Sequence, residues 1–200
     1  MPDDNSFCFV FVCQQGILER QAIVLVASLR RHFGGGPEIV AAIPGPADVW
    51  GAPCRATLDI LCDHDVRMLP IVNPVSTTYP IGNKIACLSV ETMRRHIVFL
   101  DTDIIALRSA DMSPLAASQL SAVAASEQVA DMSDWEVFYN ECIAPFPAER
   151  MQTLVSDIET APYFNSGLIA VDRAIAADLC AEWSGCANQL LLFDQLPKVV

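Results

Sequence analysis

Basic side chains are scarce. Twelve lysines and arginines stand against 24 acidic residues, a formal charge of -12 at pH 7. Nucleic-acid binding rests on clustered Lys and Arg that displace counterions from phosphates, so a general nucleic-acid binder is excluded. An anionic small ligand would need a metal ion or backbone N–H groups to offset the repulsion. Long apolar runs are missing too. Stretches such as residues 22–29 and 168–171 fall well short of the ~20 residues of a membrane-spanning helix, and no transmembrane segment is expected. The opening Met1-Pro2-Asp3-Asp4-Asn5-Ser6 has no basic residue before its apolar stretch, so it does not read as a signal peptide. The eight cysteines include no C-x-x-C pair, and none of the three histidines has a ligand's spacing. That argues against a zinc site and leads us to expect a reduced, cytoplasmic protein.

What is present is a chain of 200 residues, 52% hydrophobic, long and apolar enough for one domain with a real core. Residues 7–13 (FCFVFVC) form a continuous apolar run of β-formers, as in a strand buried on both faces of a parallel sheet. Helix-spaced apolar residues follow over 18–33, and Gly34-Gly35-Gly36 ends them. A second strand is expected over 38–43, a turn at Pro44-Gly45-Pro46, and a helical stretch over 47–62 broken at Pro53. Strands are expected over 66–72, 97–100, 122–125 and 168–171, and helices over 84–95 and 173–192. Residues 104–107 read as extended, and 127–162 as an irregular, aromatic-rich excursion of the kind that often carries function. Strand and helix alternate, so the fold class is α/β, a mostly parallel central sheet flanked by helices, in a single domain over 1–200.

Chemistry concentrates in four places. Phe99-Leu100-Asp101-Thr102-Asp103 puts two carboxylates one residue apart after a buried strand, where ligands bind in open α/β sheets. In an extended segment Asp101 and Asp103 would point the same way. Converging carboxylates need a cation, and hard oxygens suit Mg²⁺ or Mn²⁺; removing Asp101 should then cost little stability, because it relieves repulsion. Taken alone, the same residues also fit a strand-ending turn. Asn165-Ser166-Gly167 offers a close backbone approach and a donor–acceptor side chain to a hydroxyl-rich ligand, or simply a turn into a strand. Lys84 stands at a helix start beside Asn83, ready for a phosphate or exposed on the helix. Asp194-Gln195 follows the last helix, a ligand-facing pair or a solvated one. His32 and His96 are expected near helix C-termini, where positive charge is favourable.

These blocks occur in a familiar order. FVFVCQQGILERQAIVLVASLRRH, Lys84 with its helix, IVFLDTDIIAL, YFNSGLIAVD and FDQ together resemble the nucleotide-sugar glycosyltransferases of the glycogenin and bacterial galactosyltransferase type. The resemblance covers nearly the whole chain. It implies a GT-A fold and transfer of a sugar from a UDP-sugar donor to an acceptor it does not identify, a glycan, a protein or a small molecule, with retained anomeric configuration. It implies that Asp101 and Asp103 hold Mn²⁺ or Mg²⁺, that Lys84 and Asp101 contact the donor, and that Asn165, Ser166 and Gly167 line the sugar pocket. Asp194 and Gln195 match the catalytic pair near the anomeric carbon. Members usually continue beyond that pair and supply a further histidine ligand, whereas no histidine follows His96 here. The expectation is therefore of a domain shortened at its C-terminus, with water in place of the third ligand or with an incomplete metal site. The competing expectation is a catalytically silent nucleotide-sugar-binding domain. A nucleotidyltransferase would carry a glycine-rich, basic loop after the first strand, which Gln14-Gln15-Gly16 is not.

Overall fold

Every residue of the first strand is buried, and its side chains alternate between two cores. In the computed structural model, which describes residues 6–193, β1 (Phe7–Val12) sends Phe7, Phe9 and Phe11 to one face and Cys8, Val10 and Val12 to the other. On the first face α1 (Ile17–Phe33) contributes Ala22, Leu25, Val26 and Leu29, and Leu61 joins them from α3 (Arg55–Asp63). Gly34, at φ 61°, ends α1 and donates its N–H to the Arg30 carbonyl at 3.0 Å, a backbone conformation in which a side chain would be strained. Between these helices run β2 (Glu38–Gly45) and the short α2 (Ala47–Trp50).

The chain then adds β3 (Arg67–Val72), α4 (Gly82–Cys87), β4 (His96–Leu100), α5 (Ser113–Ala116), β5 (Leu120–Ala124), α6 (Met132–Glu141), a two-stranded ribbon of β6 (Met151–Gln152) and β7 (Glu159–Thr160), β8 (Phe164–Asp172) and α7 (Arg173–Leu191). The main sheet has six strands in the order β3-β2-β1-β4-β8-β5. The pairs β3–β2, β2–β1 and β1–β4 are parallel, and β8 runs antiparallel to both β4 and β5. α4 and α7 pack on the second face through Ala86, Cys87, Leu88 and Ala176. The α/β, mostly parallel architecture is thus the one the alternation of elements implied. The strand order sets the position of a crevice. From β1 the chain steps outward through β2 to β3 and returns to the opposite side of β1 as β4. The carboxyl ends of β1 and β4 therefore flank the point where strand order reverses, the crevice where α/β sheets bind ligands.

Several local expectations change. The helix expected over 84–95 stops at Cys87, because the next polar side chains serve the loop instead of the helix. The Ser89 hydroxyl donates to the Ala86 carbonyl, while Thr92 donates to Glu38 and accepts the Arg94 N–H at 3.0 Å. His96 consequently opens β4 rather than closing a helix, and its ring lies 5.3 Å from that of Phe7. Pro44 and Gly45 stay in the sheet, opposite Ile71 and Val72, so the turn starts later than expected. Residues 104–107 belong to no strand, and the excursion over 127–162 contains α6 and the β6–β7 ribbon. All eight cysteines are free. Among the described residues no helix is long and apolar enough to cross a membrane.

Candidate active site at the carboxyl ends of β1 and β4

A cleft of about 150 Å³ opens at the strand-order reversal. Val12 and Gln14 come to it from the end of β1, Leu100, Asp101 and Thr102 from the end of β4, and Asn83 and Lys84 from α4. At its base the Lys84 ammonium donates to both oxygens of Asp101, at 2.8 Å each. Phe99 lies beneath, 5.8 Å from the Lys84 nitrogen to its ring centre, within cation–π range. Lys84 and Asp101 are 25% and 30% exposed at their side chains, screened from bulk water yet reachable by a ligand.

The third block arrives through β8. Its pairing with β4 sets Leu168 opposite Leu100, and beyond that pair the Asp101 N–H donates to the Gly167 carbonyl at 2.8 Å. The Asn165 carboxamide oxygen accepts the Gly167 N–H at 2.7 Å. A Cβ built on Gly167 would sit 3.0 Å from that oxygen and 3.2 Å from Asp101 Oδ2. Gly167 is therefore the residue that lets β8 lie against the Asp101 carboxylate, and it does so from within a strand, not from a turn before one.

Lys84, Asp101 and residues 165–167, far apart in sequence, thus converge at one place. Asp103 does not join them as expected. The chain turns after Leu100, with the Ile104 N–H donating to the Asp101 carbonyl at 3.2 Å, so strand alternation ends and Asp103 is exposed. Asp194 and Gln195 lie outside the described residues. The Lys84 pair also reverses one expectation: Asp101 is held by a cation of the protein itself, so its removal strands a partly buried ammonium and costs stability.

Asn83 was missed by motif. It is 1% exposed, lines the cleft, and its Oδ1 has no hydrogen-bond partner among the described residues. A buried polar atom left this way is costly unless something meets it, but an asparagine next to a lysine carries no such signal in sequence. No cysteine lines the cleft among the described residues. Burial pushes the Cys87 thiol well above its usual range and Cys13 up to about 12, so neither is a thiolate at neutral pH. Among the described residues no group of three or more His, Cys, Asp or Glu side chains gathers to hold a metal. A cation held by Asp101 would draw most of its shell from ligand and water oxygens.

The fold is similar to that of solved structures. The galactosyltransferase LgtC, solved with donor and acceptor sugar analogues, superposes with a TM-score of 0.50 at 12% identity, over 92% of this chain and 70% of that one. A 4-diphosphocytidyl-2C-methyl-D-erythritol synthase from Anaerococcus prevotii follows at 0.49 and 11%, over 98% and 87%. The glycosyltransferase GlyE of Streptococcus pneumoniae gives 0.47 and 14%, over 96% and 44%. No curated protein matches the sequence. The model of the Rhodobacterales glycosyltransferase domain matches residues 9–198. A GT-A-like sheet with its cleft at the strand-order reversal agrees with that match over nearly the full length, and the chain belongs to the Rhodobacterales glycosyltransferase domain family.

Proposed function

We propose that this glycosyltransferase takes its sugar from a UDP-sugar, binds the donor diphosphate in the cleft between β1 and β4, and transfers the sugar with retention of anomeric configuration. The observation that carries the reading is the convergence of Lys84, Asp101 and the 165–167 segment at the strand-order reversal. Among the described residues, Lys84 is the cationic side chain that lines this cleft in an acidic chain.

The chemistry asks for two kinds of group. Breaking the bond between the anomeric carbon and the diphosphate leaves negative charge on the leaving group and positive charge on the sugar. Lys84 meets the first by sliding from the Asp101 carboxylate toward a phosphate oxygen. Asp101, with the exposed Asp103 two residues on as a second oxygen donor, would hold a hard divalent cation, Mn²⁺ or Mg²⁺, and leave the rest of the shell to phosphate and water. When bound, that ion supplies Lewis-acid stabilisation of the leaving diphosphate. Asn165 and Ser166 offer hydrogen bonds to sugar hydroxyls. Asp194, with Gln195 beside it, is proposed as the carboxylate that favours the positive side of the transition state.

UDP release from a panel of UDP-hexoses, with Mn²⁺ or with a chelator and no added acceptor, tests this directly. Slow, metal-dependent release from at least one donor is expected, lost in Asp194→Ala while UDP binding persists. Release from none of them, with UDP still bound, would mean a binding domain without turnover.

A further inference from the structure

An apolar cavity lies beyond the cleft, on the same face of the sheet, and no step proposed above uses its aromatic wall. It measures about 480 Å³ and is enclosed by α6, α7, β5 and β8, a size typical of sites for small organic molecules. Trp135, Phe138 and Tyr139 project into it from α6, at the i, i+3 and i+4 positions that share one helix face. Trp183 faces them from α7. The aromatic wall is held in place: Trp135 donates its indole N–H to Thr160 at 3.0 Å and packs 5.2 Å from Tyr163, ring centre to ring centre. Yet no residue of α6 is buried. A helix that turns three aromatics toward a preformed space without closing it leaves apolar surface for a ligand to cover.

Two further facts restrict the ligand. No charged side chain lines the cavity among the described residues, so a charged group placed there would lose its hydration without gaining a partner. The polar end of the cavity is also the edge of the donor cleft. Asn165 and Ser166 line the cavity, and the Asn165 carboxamide oxygen crowds the same point above Gly167 as Asp101 Oδ2. A molecule whose apolar part fills the cavity would thus bring its polar end to the Asp101 side of β8.

We infer that this cavity is the acceptor site, and that it takes a neutral alcohol or glycoside carrying an apolar aglycone. The inference rests on the donor reading above. The aglycone packs among Trp135, Phe138, Tyr139 and Trp183, and the free hydroxyl emerges beside Asn165 and Ser166. There the hydroxyl oxygen forms the new bond to the anomeric carbon as the bond from that carbon to the diphosphate breaks. The electron pair of that bond leaves with the diphosphate, and the acceptor's hydroxyl proton passes to the departing phosphate oxygen.

The test uses the full chain and two glycosides, octyl β-D-glucoside below its micelle concentration and methyl β-D-glucoside, read by quenching of tryptophan emission. Two of the three tryptophans line the cavity, whereas Trp50 lies in α2. N-phenyl-1-naphthylamine serves as a displaceable neutral reporter. The octyl glycoside should displace the reporter at concentrations at least roughly 100-fold lower than the methyl glycoside, as burial of its alkyl chain requires. Ala144→Trp and, separately, Ala122→Leu, both on the cavity wall, should weaken octyl glucoside at least about tenfold. Both should keep the parent's thermal shift with UDP and Mn²⁺. Equal affinity for the two glycosides, or octyl binding unchanged in folded forms of both variants, overturns the assignment. If the octyl glycoside binds and UDP does not, the donor reading fails and the acceptor role fails with it, while the cavity's ligand class stands. If both bind but octyl glucoside does not accelerate UDP release from any turned-over UDP-sugar more than methyl glucoside does, the acceptor role alone is overturned.

Discussion

Lys84→Met isolates the ion pair that organises the cleft. Methionine keeps most of the apolar stem over Phe99 and removes the ammonium that donates to both Asp101 oxygens at 2.8 Å. With an effective dielectric constant of about 20 the direct attraction at this distance is a few kcal/mol, but desolvation cancels much of it. Exposed pairs contribute roughly 0–1 kcal/mol, and breaking a fully buried one costs about 3–5 kcal/mol. Side chains that are 25% and 30% exposed fall between these limits, so the expected loss is about 1–2 kcal/mol. For a chain of this length that lowers Tm by roughly 2–8 °C, read by thermal unfolding without nucleotide. The same experiment has a second arm. The substitution frees the Asp101 carboxylate, so Mn²⁺ should restore part of the loss in Lys84→Met and none in Lys84→Met/Asp101→Asn. A Tm within about 1 °C of the parent would refute the view that this pair holds the cleft together. Full loss with no response to Mn²⁺ would refute the carboxylate's part in holding a cation.

Three other outcomes follow from the same structure. Gly167→Ala adds a methyl group 3.0 Å from Asn165 Oδ1 and 3.2 Å from Asp101 Oδ2; both neighbours are side-chain ends, so stability should fall by less than about 1 kcal/mol, while UDP affinity by calorimetry drops at least about tenfold. Arg30 donates to the carbonyls of Gly34, Pro37, His64 and Asp65 and so ties the end of α1 to the turn before β3; Arg30→Met should cost about 2 kcal/mol in urea unfolding without changing UDP affinity. Burial holds the His96 imidazole below its ordinary pKa, so it is neutral in both folded and unfolded chains above pH 6.5; as pH falls below 6.5 the unfolded chain takes up a proton that the native state refuses, and stability drops. His96→Phe should flatten that part of the stability profile relative to the parent, and an unchanged slope would remove His96 as its source.

The sheet was legible because its signal is dense. A run such as FCFVFVC has one physical use, a strand covered on both sides, and β1 is that strand. Leu18 to Phe33 and its three following glycines likewise announced α1 and its end. The D-x-D and FNSG blocks were legible as neighbours only through the family's order of motifs; the contact itself is made by β8 pairing antiparallel with β4, which no local pattern encodes. Where residues have two uses, the sequence misled. Ser89 and Thr92 sit within helix-like spacing but hydrogen-bond to Ala86 and Glu38, and α4 stops short. Asp101 read as one of two repelling carboxylates because Lys84, 17 residues earlier, was not visible as its partner. Asn83 and the α6–α7 cavity depend on burial and on the packing of distant segments, which residue type and spacing do not carry.

Thermal unfolding with UDP, with and without Mn²⁺, beside an Asp101→Ala control, tests the donor site most directly. UDP at ~100 times its dissociation constant should stabilise the protein by roughly 2.7 kcal/mol, a rise of about 5–11 °C at this chain length. A rise that needs both UDP and the metal, and is absent in Asp101→Ala, is the expected result. No rise with UDP under either condition, or the same rise in Asp101→Ala, would contradict a UDP-sugar site at the carboxyl ends of β1 and β4.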